Sequence, residues 1–158
     1  GAGSQTSSLV FGGEPYPSVS ALTEAYNGSS WTEVSDLNTA RFLLGGVGAD
    51  NTAVLAFGGN PSYKANTESW NGSSWTEVAD LNSGRWSMAG NAGTQPAALT
   101  FGGASSTATV ANTESWNGSA WTEVADLNTA SRNIYSCFKY SRNPILSNSN
   151  SSCRTMEW

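Results

Sequence analysis

The chain has 158 residues, with 12 acidic and 7 basic side chains, no histidine and a net charge of −5. Without histidine it lacks the commonest general base and metal ligand, and seven scattered cations on an acidic chain argue against a nucleic-acid partner. No apolar run approaches the ~18 residues of a membrane-spanning helix, and the opening residues do not read as a secretory leader, so no membrane partner is expected.

Charged residues make up 12% of the chain, well under the usual quarter. Ser, Thr, Asn and Gly together fill 72 positions (25, 15, 15 and 17). The length suits one domain with a modest core.

The chain is self-similar over most of its length. LVFGG at 9–13 precedes LTEAYNGSSWTEVSDLNTAR at 22–41. LAFGG at 55–59 precedes NTESWNGSSWTEVADLNSGR at 66–85, and LTFGG at 99–103 precedes NTESWNGSAWTEVADLNTA at 112–130. Trp31, Trp75 and Trp121 recur at intervals of 44 and 46 residues, and the lead-ins GAGSQTSSL and NAGTQPAAL also correspond. The repeats divide the chain into 1–41, 42–85 and 86–130, with a divergent tail at 131–158.

Within one repeat every local signal is β. A short apolar stretch closed by two glycines predicts a well-buried strand. Thr-Glu-Ser-Trp and Trp-Thr-Glu-Val-Ala-Asp-Leu alternate, with Asn-Gly between them, a strong hairpin signal. A two-residue loop would pair Trp70 with Ser73; a four-residue loop, 71–74, would pair Trp70 with Trp75. Aromatic cross-strand pairing favours the second energetically, and the sequence leaves both registers open. The segments after Arg41 and Arg85 supply a further strand. About four short strands per repeat are expected, and no segment has a 3.6-residue period.

Four strands in 44 to 46 residues, repeated in tandem, are the pattern of a propeller blade. The double glycines Gly12-Gly13, Gly58-Gly59 and Gly102-Gly103 and the downstream aromatic pairs Tyr26 with Trp31, Trp70 with Trp75 and Trp116 with Trp121 resemble the Kelch repeat family over roughly residues 1 to 130. The spacing between the aromatics looks shorter than is usual in that family. The resemblance implies an all-β propeller of about three four-stranded blades plus a partial fourth. It also implies that the aromatics pack between strands and neighbouring blades. It does not specify function, because one fold carries many tasks. Propellers usually close with four to eight blades, since an open end exposes a templating strand edge. The expectation is therefore a longer product, or head-to-tail assembly of copies into a ring.

The tail differs. Residues 1–130 hold 11 acids and 3 bases, a net of −8, whereas residues 131–158 hold 1 acid and 4 bases, a net of +3. Both cysteines, Cys137 and Cys153, lie there, and no glycine does. Ser131 intrudes before Arg132, displacing the counterpart of Arg41 and Arg85 by one. Codons can be chosen for 147–158 that, read one base later, give Ala-Thr-Ala-Thr-Val-Ala-Val-Glu-Gln-Trp-Asn, close to 106–117 of the third repeat. In the same way Tyr135-Ser136-Cys137-Phe138 can shift to Thr-Ala-Ala-Leu. The expectation is an out-of-frame fourth repeat; the alternative is a genuine basic, polar tail. Under the first reading the cysteines were never selected.

Candidate chemistry is sparse. Glu33, Glu77 and Glu123, and Asp36, Asp80 and Asp126, are equivalent sets that could line a channel or bind Ca²⁺. Duplication multiplies any residue, so solvated positions explain them as well. Identical repeats argue against the two unlike carboxylates of glycoside hydrolysis. Tyr26, Trp70 and Trp116 invite a carbohydrate-stacking reading, against which stands core packing. Trp86, matched by Phe42 in the first repeat, is either a surface contact or another core side chain. Asn27, Asn71, Asn117 and Asn150 open formal glycosylation sequons, though the first three also suit tight hairpins. Copper-oxidase chemistry on such propellers needs histidine ligands, and the chain has none.

No catalytic residue, metal site or cofactor is expected. The stretches 14–21, 60–65 and 104–111 vary between repeats, which makes them the candidate binding face, with Glu14, Tyr16, Asn60, Tyr63, Lys64, Ser105 and Thr107 as candidate contacts. The expected function is a non-enzymatic interaction or structural module that binds a protein or glycan. Its Ser/Thr/Asn/Gly-rich, Lys-poor composition resembles extracellular or virion-surface adhesive repeats, such as phage tail-associated proteins. The alternative is part of a larger glycan-binding or glycan-acting propeller.

Overall fold

The computed structural model describes residues 1–14 and 18–132. Both cysteines, Tyr16 and the expected out-of-frame segment beyond Arg132 lie outside the described residues. The described chain is all-β, with three four-stranded antiparallel sheets and no helix.

Sheet 1 contains β1 (Ala2–Ser4), β2 (Ser7–Gly13), β3 (Ser20–Tyr26) and β4 (Trp31–Val34). Sheet 2 contains β5 (Gly45–Gly48), β6 (Val54–Phe57), β7 (Thr67–Trp70) and β8 (Trp75–Val78). Sheet 3 contains β9 (Gly90–Thr94), β10 (Ala97–Phe101), β11 (Thr113–Trp116) and β12 (Trp121–Val124). Each sheet is a meander in which sequential strands are neighbours, and no sheet closes on itself. The first strands gather together, with β5 lying against both β1 and β9. The sheets therefore stand in the order 1, 2, 3, packed face to face.

The glycine-terminated stretch becomes the second strand of each sheet and pairs on both sides. In β6 all four residues, Val54 to Phe57, are buried. Alternation then divides the strand between two interfaces. Val54 and Ala56 pack with Leu9, Phe11, Leu37, Trp70 and Trp75 between sheets 1 and 2. Leu55 and Phe57 pack with Val47, Leu81, Met88, Trp116 and Trp121 between sheets 2 and 3. The core is thus two inter-sheet seams.

The hairpin between the third and fourth strands takes the four-residue loop, pairing Tyr26 with Trp31, Trp70 with Trp75 and Trp116 with Trp121. The reason lies in the asparagine side chain. Asn71 Oδ1 accepts from the backbone N–H groups of Ser73 and Ser74, both at 3.0 Å. Gly72 alone in that loop takes positive φ, 94°. The Asn-Gly pair therefore builds a side-chain-capped turn and not a two-residue type I′ loop. The cross-strand rings meet as tilted pairs, 5.3 Å apart for Trp70 and Trp75.

The first glycine of each pair has a reason of its own. Gly58 sits at φ 63°, and a Cβ there would lie 2.6 Å from the Arg85 carbonyl oxygen. The next residue, Gly59, donates its N–H to that same carbonyl at 2.9 Å. The backbone must approach this closely to bind the Leu-Asn-x-x-Arg segment, and a side chain would prevent it.

Candidate functional site

The repeated residues converge on the seams. Trp75 on β8 reaches across to sheet 1, where its indole N–H donates to Thr23 Oγ1 at 3.1 Å and its ring meets Phe11 edge-on at 5.1 Å. Trp121 does the same toward sheet 2, donating to Thr67 Oγ1 at 3.0 Å and meeting Phe57 at 4.9 Å. Trp70 and Trp116 are buried and donate to the carbonyls of Asn51 and Gln95. Neither of these two presents a face on which a sugar could stack. Tyr26 is half-buried against Trp31, and Trp31 is exposed.

Each seam also encloses an ion pair. Arg41 leaves the end of sheet 1 and enters sheet 2, where its Nη2 lies 3.0 Å from Glu68 Oε1 with both side chains fully buried. Its Nη1 donates to the Asn66 and Gly58 carbonyls at 2.6 and 3.2 Å. The other Glu68 oxygen, Oε2, accepts from the Asn38 backbone N–H at 2.7 Å and the Asn38 side-chain amide at 2.9 Å. Arg85, Glu114 and Asn82 repeat the arrangement between sheets 2 and 3. There Nη2 and Oε1 are 3.0 Å apart, yet both atoms lack a hydrogen-bond partner. The contact is a close charge–charge approach between two buried groups.

Burial pulls the Arg41 guanidinium below its ordinary value, opposed by the charges of Glu68, Asp80 and Glu77. Arg85 is lowered in the same way by burial, opposed by Glu114, Glu123 and Asp126. Arginine remains protonated regardless. The pairs are therefore fixed charges in an apolar seam.

These six residues, Arg41, Arg85, Glu68, Glu114, Asn38 and Asn82, do not stand out in the sequence. A signal is there nonetheless. Thr-Glu-Ser-Trp places the glutamate and tryptophan two apart, on the same strand face. A carboxylate sharing the face of a buried tryptophan needs a partner, and the cation common to the first two repeats is the arginine of Leu-Asn-x-x-Arg.

The carboxylates that do stand out are placed differently. Glu33, Glu77 and Glu123 are exposed on the fourth strands, directly across from Glu24, Glu68 and Glu114. Asp36, Asp80 and Asp126 each accept the backbone N–H of Thr23, Thr67 or Thr113, at 3.2, 3.1 and 3.0 Å. Among the described residues no three His, Cys, Asp or Glu side chains are grouped so as to hold a metal ion.

The variable stretches join second to third strands, at the same end of the molecule as the crossovers between sheets. Backbone bonds bind the two together: Phe42 with Asn60, and Trp86 with Ala104. Asn60 also accepts from the Tyr63 N–H at 3.3 Å through Oδ1, and the Lys64 carbonyl accepts from Arg85 N–H at 3.2 Å. Ser105 folds its loop back by accepting from Ala108 N–H at 3.2 Å. Tyr63, Thr107 and Glu14 are exposed, while Asn60, Lys64 and Ser105 are half-buried. Trp86 is half-buried, and its indole nitrogen has no hydrogen-bond partner.

No protein-family model matches the chain, and no curated protein matches it.

Proposed function

We propose that the three sheets are blades of a Kelch-like β-propeller and that the chain acts as a non-enzymatic interaction or structural module. In this reading it contacts a protein or glycan through the loops between second and third strands. The carrying observation is the separation of two residue classes. Of the positions identical between repeats, those that join the sheets, such as Trp75 with Trp121 and Glu68 with Glu114, are enclosed in the seams, while Glu77, Glu123 and the Asn-Gly hairpins are exposed on the strands and turns beside them. Positions that differ, such as Tyr63 and Thr107, project from loops at one end. A scaffold of constant packing that carries variable loops is the usual arrangement for recognition. Among the described residues of these loops, no side-chain hydrogen bond pairs a nucleophile with a base.

The test is a glycan array and a set of immobilised surface proteins probed with the full chain, then with Tyr63→Ala and Thr107→Ala. Binding that falls in the variants while the thermal midpoint holds supports the reading. Binding indifferent to both loops, or release of reducing ends from a bound glycan, overturns it; the latter favours a glycan-acting propeller.

A further inference from the structure

The two seams are near-copies of each other, so they define what a sheet face of this type is built to meet. Position by position, the face that sheets 2 and 3 bury is the face that sheet 1 leaves open. Trp75 and Trp121 are 6% and 5% exposed, and Trp31 is 48% exposed. Ala56 and Thr100 are fully buried, and the equivalent Val10 is 47% exposed. Glu68 and Glu114 are buried against arginines, and the equivalent Glu24 is exposed. A largely apolar face with Glu24 at its centre, and Glu33 directly across from it on the edge strand, therefore stands uncovered on sheet 1.

The opposite face of sheet 3 offers most of the complementary set, Phe101, Thr113, Leu127 and Asn128, matching Phe11, Thr23, Leu37 and Asn38. It does not offer the cation. Ser131 occupies the arginine position: its carbonyl accepts Gly103 N–H at 2.7 Å, as the carbonyls of Arg41 and Arg85 accept Gly13 and Gly59 at 2.9 Å. Ser131 N–H bonds to Val110 O, as Arg85 N–H bonds to Lys64 O. Arg132 falls one residue later, at the position of Phe42 and Trp86, where it is exposed.

We infer that the open face of sheet 1 is a docking surface for a further sheet of this repeat type that carries Leu-Asn-x-x-Arg. The inserted Ser131 keeps a second copy of this chain from filling that place. Charge complementarity selects the occupant: Glu24 enclosed by a sheet ending in serine would be a buried, unpaired carboxylate, which is strongly disfavoured. The inference concerns face chemistry alone and stands whether or not the array closes as a propeller.

The register supplies the experiment. Ala2 faces Leu9 as Ala92 faces Leu99, so a duplicate of residues 42–90 placed ahead of Gly1 enters in phase. Hydroxyl-radical footprinting with mass spectrometry then follows Trp31, whose peptide is distinct from those of the other repeats. The expected result is oxidation of Trp31 slowed several-fold, to the rate of Trp121. Changing the duplicated copy's Arg85→Met should restore the fast rate. Equal protection with and without that arginine, or no protection in a chain whose circular dichroism is native, overturns the inference.

Self-association gives a second measurement. In sedimentation velocity the unaltered chain should remain a monomer, Ser131→Arg should associate head to tail, and Ser131→Arg combined with Glu24→Gln should return to monomer. Association of the unaltered chain through the Trp31 face, or a folded Ser131→Arg chain that stays monomeric, also overturns it.

Discussion

Arg41 and Glu68 are 27 residues apart in sequence and 3.0 Å apart in space, and neither side chain reaches solvent. They join two sheets across a seam lined chiefly by apolar side chains. The pair is held by more than its own charge, since Arg41 also donates to the Gly58 and Asn66 carbonyls and Glu68 accepts twice from Asn38.

Removing one partner should therefore cost more than removing both. Glu68→Ala strands a buried guanidinium, and the expected loss is about 3–5 kcal/mol in urea unfolding. Arg41→Met combined with Glu68→Met should lose clearly less than the sum of the two single changes. Glu24→Ala, at the exposed equivalent on sheet 1, should be near neutral. A large loss at Glu24 would contradict the described exposure.

Trp75 and Thr23 provide a cleaner pairwise measurement. Trp75→Phe and Thr23→Val each break the 3.1 Å indole–hydroxyl bond, and the double mutant has only that bond left out once. A coupling energy of about 1 kcal/mol is expected from the cycle. Trp31→Phe combined with Thr23→Val should show none, because Trp31 makes no contact with Thr23 across a seam.

At Gly58, alanine meets two obstacles: a positive φ of 63° and a carbonyl oxygen 2.6 Å from the new Cβ. Gly13 has a positive φ of 128° but no atom within 4 Å of its Cβ. Gly58→Ala should lower the thermal midpoint well beyond Gly13→Ala, the difference reflecting displacement of the Arg85 carbonyl. Equal effects would show that backbone conformation alone governs both sites.

The hairpin asparagines act through Oδ1, the atom that accepts from Ser73 and Ser74. Asn71→Asp keeps an acceptor there and should hold stability, whereas Asn71→Ala should cost roughly 1 kcal/mol, the range for a lost cap of this kind. Chemical denaturation of the two variants side by side decides the matter. If both are equally destabilised, the amide nitrogen and not Oδ1 is the important atom.

Asp50 carries an acid-side signature in the turn between β5 and β6. The Thr52 hydroxyl, then the Thr52 and Ala53 backbone N–H groups, hold its carboxyl below the ordinary 3.8. A folded value below the unfolded one means the stabilisation is present above the unfolded pKa and is lost as pH falls through the folded one. NMR titration should place the Asp50 midpoint below 3.8, and Thr52→Ala should raise it.

What the sequence could show depended on range. The Asn-Gly turns, the glycine pairs and the alternation of Thr-Glu-Ser-Trp act over a few residues, so strand number and sheet size were legible from spacing alone. The hairpin register was narrowed to two choices and decided by a side-chain acceptor, Asn71 Oδ1, whose geometry no spacing reveals. Glu68 was unreadable for a different reason. Its partner Arg41 belongs to another sheet, and a strand pattern reports which face a residue occupies without reporting what covers that face.

The same limit applies to the aromatics. Trp31 and Trp75 stand in the same local sequence, NGSSWTEV, and form the same cross-strand pair with the ring before them. That local sequence makes both of them strand residues beside a turn, and it goes no further. Packing between sheets made Trp75 a buried strut and left Trp31 an open surface, because burial belongs to the neighbouring sheet, and among the described residues sheet 1 has a neighbouring sheet on one side alone.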